Sequence, residues 1–189
     1  MKRIAIFASG AGSNALNMLR YFKDSDQVKI ALIGSNKADA GVMKIAQDHA
    51  IPAFLITRAE FENCETLIAK LHAHEIDFIA LAGFLWKIPQ ALIDAYPKGI
   101  VNVHPALLPK YGGKGMYGHF VHEAVFANHE KQSGITIHFV NAQYDEGDIL
   151  FQKSVALDPS DTPAAIEQKV RALELEYFPG VIDQLLMSN

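Results

Sequence analysis

The chain has 189 residues, 50% of them hydrophobic and 20% charged, which suits one domain with a sizeable core and excludes a disordered polymer. A formal net charge of −4 is too mild to imply a nucleic-acid or membrane partner, since broad nucleic-acid binding needs a basic surface. Cys64 is the only cysteine, which excludes an internal disulfide and a thiolate metal cluster and fits a reducing cytoplasm. The chain opens on "MKRIAIFASGAGSN", whose apolar run is too short for a signal core, and no window approaches the ~18 apolar residues of a membrane span.

In chain order, the near-continuously apolar runs 3–8, 28–35, 52–56, 78–83 and 99–103 read as strands covered on both faces. Helical patterns at 13–22, 39–49, 59–74 and 89–95 alternate with them. After residue 110 the rhythm changes. Segments 133–140 and 149–157 read as an antiparallel strand pair joined by the long loop "NAQYDEGD". A long amphipathic helix closes the chain, with Ser160 or Asp161 as its cap, Pro163 in its first turn and a bend or interruption at Pro179. The expectation is a single α/β domain over residues 1–189. It is a doubly wound, mostly parallel, Rossmann-like sheet with an antiparallel C-terminal pair.

Four stretches carry chemistry. "ASGAGSN" (8–14) joins the first strand to a helix. Gly10 and Gly12 let backbone N–H groups approach an anion at the helix N-terminus, and Ser13 and Asn14 add side-chain donors. The dinucleotide fingerprint fails because Ala15 stands where its third glycine belongs, and the Walker pattern lacks its Gly-Lys-Ser/Thr. A small phosphate monoester fits better; a tight turn capped by Ser13 is the plain alternative.

"VNVHPALLPKYGG" (101–113) is a strand stopped by Pro105. Asn102 and His104 stand two apart, so both face the same side at the strand's carboxyl end, where open α/β sheets bind ligands. They are either a satisfied polar corner or a catalytic pair. Asp145, Glu146 and Asp148 of the late loop are the acids available to orient His104, unless they serve only as turn residues.

"KYGGKGMYGHFVHEAVFANH" is a glycine-rich basic loop running into a helix. Its histidines His119, His122 and His129 lack the zincin spacing, and no metal is expected. His138, on an apolar strand, reads as a core histidine. In "LAGFLWKIP" (81–89) the strand ends in an apolar turn bearing Trp86, a packed turn or else a wall for a flat heteroaromatic ligand.

Taken together, "SGAGSN", "SNKADA", "LAGFLWKIP", "VNVHPALLPKYGG", "ITIHFV", "YDEGDIL", "DTP" and "LELEYFP" run through nearly the whole chain. On these segments it resembles the phosphoribosylglycinamide formyltransferases, folate-dependent transferases of purine synthesis. The resemblance implies formyl transfer from N10-formyltetrahydrofolate to the amine of glycinamide ribonucleotide, with no metal, by a cytoplasmic monomer or weak homodimer. It assigns Asn102, His104 and Asp145 to catalysis. Gly12, Ser13 and Asn14 would hold the 5′-phosphate and Glu174 the ribose hydroxyls, while Gly83, Leu85 and Pro105 line the passage to the formyl group. Leu85, Trp86, Lys87 and Ile88 would contact the folate, with Asn102 and with Val140, Asn141, Ala142 and Tyr144 as the opposite wall.

The chemistry this implies is direct attack by a neutral amine, with an oxyanion stabilised by Asn102 and a protonated His104 whose pKa Asp145 would raise. Trp86-Lys87 departs from several relatives, which carry an Arg and an apolar residue there. Formyltetrahydrofolate hydrolases and methionyl-tRNA formyltransferases carry additional domains that 189 residues do not accommodate, and sugar-nucleotide formyltransferases need a larger nucleotide site. A non-catalytic sensor of a phosphoribosyl metabolite would need only the "SGAGSN" loop.

Overall fold

The computed structural model describes residues 1–188. It separates into two compact units, Met1–Val101 and the residues from Asn102 onward.

The first unit holds β1 (Lys2–Phe7), α1 (Ser13–Tyr21), β2 (Val28–Ser35), α2 (Gly41–Asp48), β3 (Ala53–Leu55), α3 (Arg58–Asn63), α4 (Glu65–Ala73), β4 (Phe78–Leu81) and α5 (Gln90–Ala95). β1 pairs in parallel with β2 and with β4, and β2 with β3. The strand order is β3-β2-β1-β4, followed by β5 (Ile100–His104). Ile4, Ile6 and Phe7 of the central β1 are fully buried, as are Ile33 and Ile79 beside them. Each such side chain contributes about 1.5–3 kcal/mol by leaving water. These near-continuous apolar runs are what a strand covered on both faces requires.

β5 crosses the boundary between the units, with Ile100 and Val101 in the first and Asn102 to His104 in the second. The second unit continues with α6 (His119–Ala127), β6 (Gln132–Phe139), β7 (Ile149–Ala156) and α7 (Pro163–Met187). Its strand order is β5-β6-β7, and β6 and β7 are antiparallel, Gln132 opposite Ala156 and Ile137 opposite Phe151. The sheet is thus mostly parallel with an antiparallel C-terminal pair, flanked by helices. No described helix is long and apolar enough to cross a membrane.

Two elements differ from expectation. The helical pattern over 59–74 is broken at Cys64, whose backbone is left-handed (φ 55°) and which ends α3 and begins α4. Periodicity misses this because the apolar face continues across the break: Phe61, Cys64, Leu67 and Leu71 are all buried. The start of α3 is a capping box. Thr57 accepts from the Glu60 N–H and Glu60 reaches back to the Thr57 N–H, a T-x-x-E signal that the sequence carries. In α7 the cap is Thr162, whose hydroxyl accepts from Ala165 N, and neither Ser160 nor Asp161. Those two form a turn with Asp158 instead. α7 runs through Pro179 without ending there.

Candidate active site

In the first unit the loops at the carboxyl ends of β1, β2 and β4 are tied together by Ser9. Its hydroxyl donates to Asn36 Oδ1 (2.6 Å) and accepts from the Leu85 N–H (3.0 Å), while its own N–H donates to the Gly83 carbonyl (3.0 Å). Ser9 and Asn36 stand in the quoted segments, but apolar patterning gives no sign that they link the glycine loop to the Trp86 turn.

The glycine loop requires glycine at position 12. Its φ is 81°, and a Cβ there would lie 2.8 Å from Val42 and from Ile45. Gly12 is also the residue preceding α1, and no side chain caps that helix, so Ser13 is not its cap. The first-turn N–H groups of a helix have no intrahelical acceptor and the helix dipole favours negative charge there. Ser13 and the buried Asn14 follow directly.

At the β4 end, Gly83 has φ 74° with open space around it. Trp86 packs at 5.2 Å from Phe61 and 6.2 Å from Phe84, with the Arg58 guanidinium 5.1 Å over its ring. Leu85 is half-buried and Lys87 exposed, whereas Ile88 is in the core, so any ligand contact by Ile88 is through its backbone.

In the second unit, β5 ends on Asn102 and His104, and the chain then turns across β6. Thr136 holds that turn: its hydroxyl donates to the Ala106 carbonyl (2.7 Å) and accepts from Leu108 N (3.0 Å) and Gln152 Nε2 (2.9 Å). Gly134 lets the strands approach, since a Cβ there would fall 2.1 Å from the Lys153 carbonyl. Pro105 is half-buried in this segment.

The loop after β6 brings Asp145 to the histidines. Asp145 Oδ1 lies 3.6 Å from His104 Nδ1 and 3.7 Å from His138 Nε2. Its Oδ2 accepts from the Gly113 N–H at 2.9 Å, and its backbone is left-handed (φ 56°). Burial pushes the Asp145 carboxyl up, but the His138 and His104 imidazoles in their protonated forms, together with the Gly113 N–H, outweigh it and hold the group below its ordinary value. Of the other acids in this loop, Glu146 and Asp148 are exposed. The loop closes where Phe139 N donates to the Asp148 carbonyl, against Gly147. Val140 is half-buried, and Asn141, Ala142 and Tyr144 line the exposed part of the same loop. Glu174 is half-buried on α7.

His104 and His138 are both buried, at 3% and 2% exposure, so their protons are assigned by their partners. His104 Nε2–H donates to the Tyr111 carbonyl (2.8 Å), leaving the Nδ1 lone pair toward Asp145. His138 Nδ1–H donates to the Phe139 carbonyl (2.8 Å), leaving Nε2 to accept from Asn102 Nδ2 (3.1 Å). His138 is therefore more than a core histidine. Its alternation with Thr136 along β6, toward the side that carries Asn102, is the signal that could have found it.

One expectation is corrected. Burial lowers the His104 pKa, with His138 adding to the effect, and together they outweigh Asp145 and the Tyr111 carbonyl, which favour the charged form. His104 is thus a neutral imidazole beside an ionised carboxylate. Such an arrangement can accept a proton at Nδ1 and stabilise the imidazolium that forms, while the Asn102 amide offers a second N–H to an oxygen. Among the described residues no group of three His, Cys, Asp or Glu is arranged to hold a metal ion.

Residues 2–182 match the model of the formyl transferase family. The chain is 37% identical over 194 residues to the phosphoribosylglycinamide formyltransferase of Bacillus subtilis, covering all of this chain and 97% of that protein. It is 39% identical to the chloroplastic phosphoribosylglycinamide formyltransferase of Arabidopsis thaliana, where 96% of this chain matches 64% of the plant protein's length. The chain therefore spans a little under two thirds of that plant relative. Its fold matches the crystal structure of glycinamide ribonucleotide transformylase 1 from Geobacillus kaustophilus with a TM-score of 0.89 at 31% identity, over 98% of this chain and 99% of that one. The chain belongs to the formyl transferase family, among the phosphoribosylglycinamide formyltransferases.

Proposed function

We propose that this chain transfers the formyl group of N10-formyltetrahydrofolate to the amine of glycinamide ribonucleotide, and that both units form one catalytic domain. The observation that carries the reading is that Asp145 meets the buried His104 and His138, and that His138 in turn meets Asn102. A sensor of a phosphorylated metabolite has no use for that cluster.

In this reading the neutral amine attacks the formyl carbon, forming a C–N bond and a tetrahedral centre. The free N–H of the Asn102 amide donates to the developing oxyanion. Such a donor lowers the barrier by about 3 kcal/mol. His104 Nδ1 takes the proton leaving the attacking nitrogen, and Asp145 stabilises the resulting imidazolium. That imidazolium assists the oxyanion and then returns its proton to N10 as the C–N10 bond breaks. The protonated His104 is then a product of the first proton transfer, not a resting state.

Gly12, Ser13 and Asn14 are assigned to the 5′-phosphate and Glu174 to the ribose hydroxyls. Gly83, Leu85 and Pro105 are assigned to the passage where amine meets formyl. The turn Leu85 to Ile88, with Asn102, Val140, Asn141, Ala142 and Tyr144, is assigned to the folate. The N-terminus of α1 at Gly12, which no side chain caps, supports the phosphate assignment.

The test is turnover of glycinamide ribonucleotide with N10-formyltetrahydrofolate, followed by folate absorbance. Formyl transfer is expected. Hydrolysis of the formyl-folate without an acceptor, or binding of the ribonucleotide with no turnover, would reject the reading.

A further inference from the structure

Tyr111 is a bulky residue with a left-handed backbone (φ 58°). That conformation persists in non-glycine residues only where the surroundings over-determine it. Its consequence is local: it turns the Tyr111 carbonyl onto His104 Nε2 at 2.8 Å. Two residues on, Gly113 N–H grips Asp145 Oδ2. The segment 110–113 therefore braces two members of the cluster through its backbone alone.

What braces the segment lies outside the cluster. Glu130, just after α6, accepts from the Tyr111 hydroxyl (2.9 Å) and from Lys110 Nζ (2.7 Å) at the same carboxylate oxygen, Oε1. Burial and Glu130 both keep the phenol protonated, so it remains a donor. Lys110 and then Tyr111 keep Glu130 ionised.

We propose that Glu130 and Tyr111 are positioning residues that fix His104 as the Nε2–H tautomer and so reserve its Nδ1 as the proton-accepting nitrogen. With the phenol anchored, the carbonyl stays on Nε2. A carbonyl accepts and cannot donate, so the proton is held on that nitrogen and the lone pair faces Asp145. Without the anchor, the left-handed turn relaxes and the proton is free to sit on Nδ1, so that this nitrogen no longer accepts a proton and the basic lone pair moves to Nε2. The other ionisable groups facing His104 are Asp145, His138 and His122, and none of them touches Nε2 in the way Tyr111 does.

The catalytic consequence rests on the formyl-transfer reading, but the tautomer does not. The experiment is therefore double. In protein labelled with nitrogen-15 at histidine, with His104 assigned by its loss in His104→Gln, the wild type shows a protonated Nε2. Glu130→Ala and Tyr111→Phe redistribute the proton toward Nδ1, and Glu130→Gln, which keeps an acceptor for the phenol, retains the wild-type pattern. In turnover, Glu130→Ala and Tyr111→Phe lower kcat by roughly 5–20-fold with KM little changed, as loss of an orienting partner does. The acid limb of their pH–rate profile also moves to lower pH, since the Tyr111 carbonyl favours the charged imidazole. A protonated Nε2 unchanged in both Glu130→Ala and Tyr111→Phe overturns the proposal. A wild type that fails to transfer formyl overturns the functional reading instead, and leaves the tautomer result to decide this one.

Discussion

Asn102 donates its amide to Nε2 of His138 across 3.1 Å, and that single bond sets which way the amide faces. The histidine's other nitrogen is committed to the Phe139 carbonyl, so Nε2 has only a lone pair to offer and the amide nitrogen must turn toward it. Replacing His138 with Ala should free the amide to flip. We expect kcat to fall about tenfold, with His138→Gln intermediate because it restores an acceptor. Steady-state kinetics at saturating substrates checks this; wild-type kcat in His138→Ala would show that the amide is oriented by something else.

Asn102→Ala and His104→Ala remove groups assigned to the reacting atoms. Each should lower turnover by about a hundredfold or more while circular dichroism shows a retained fold. Turnover near that of the wild type in either variant removes the catalytic assignment of that residue.

Asp145→Asn keeps the shape of the side chain and removes its charge. Asp145 favours the imidazolium of His104, so its loss lowers the His104 pKa further and moves the acid limb of the pH–rate profile downward. Turnover falls at the same time, because the imidazolium formed in the reaction loses its partner. An acid limb that stays in place would exclude this electrostatic role.

Gly12→Ala places a methyl against Val42 and Ile45 at a left-handed residue. The backbone conformation alone costs about 1–3 kcal/mol for a non-glycine residue. KM for the phosphorylated acceptor should rise about tenfold or more, as lost anion contacts at a helix N-terminus predict, with KM for the formyl donor far less affected. Equal changes in both would argue for general destabilisation and against a phosphate site.

Burial depresses the pKa values of both His104 and His122. The unfolded chain thus takes up protons first as pH falls through the ordinary histidine range near about 6.5. Stability is full above that range and declines as pH drops through it toward the folded-state values. His122 has a buried Nδ1 with no hydrogen-bond partner, and its burial outweighs Glu167, which favours the charged form. Thermal unfolding of His122→Gln should therefore decline less steeply than wild type between about pH 7 and pH 5. An unchanged slope would mean that His122 titrates normally.

Elements with a strong period were legible in the sequence. β2 at 28–35 and the β6–β7 pair follow from apolar runs and a turn-rich loop, and Pro105 marks the end of β5 within a residue. The break at Cys64 was not legible, because a left-handed residue inside an unbroken apolar face leaves the pattern intact. In the site, Asn102 and His104 were visible from their position at a strand end, and Asp145 was one of three acids in its loop. His138 was not visible as a participant, since a buried strand histidine has the same sequence context whether or not it meets an amide. The net direction of the His104 pKa was not legible for a related reason. Spacing shows that a carboxylate is available, but the depth of burial, which wins here, appears only once the chain is folded.

The hydroxyl of Thr136 uses its one hydrogen and both lone pairs at once, on Ala106, Leu108 and Gln152. A group employed to capacity tolerates only another hydroxyl: serine loses a methyl, valine keeps the outline and strands three dipoles, and alanine adds a hole. Anyone re-engineering the acceptor preference of this scaffold should treat positions 136 and 152 as one joint variable, to be altered together or left alone, since 106 and 108 enter through their backbone.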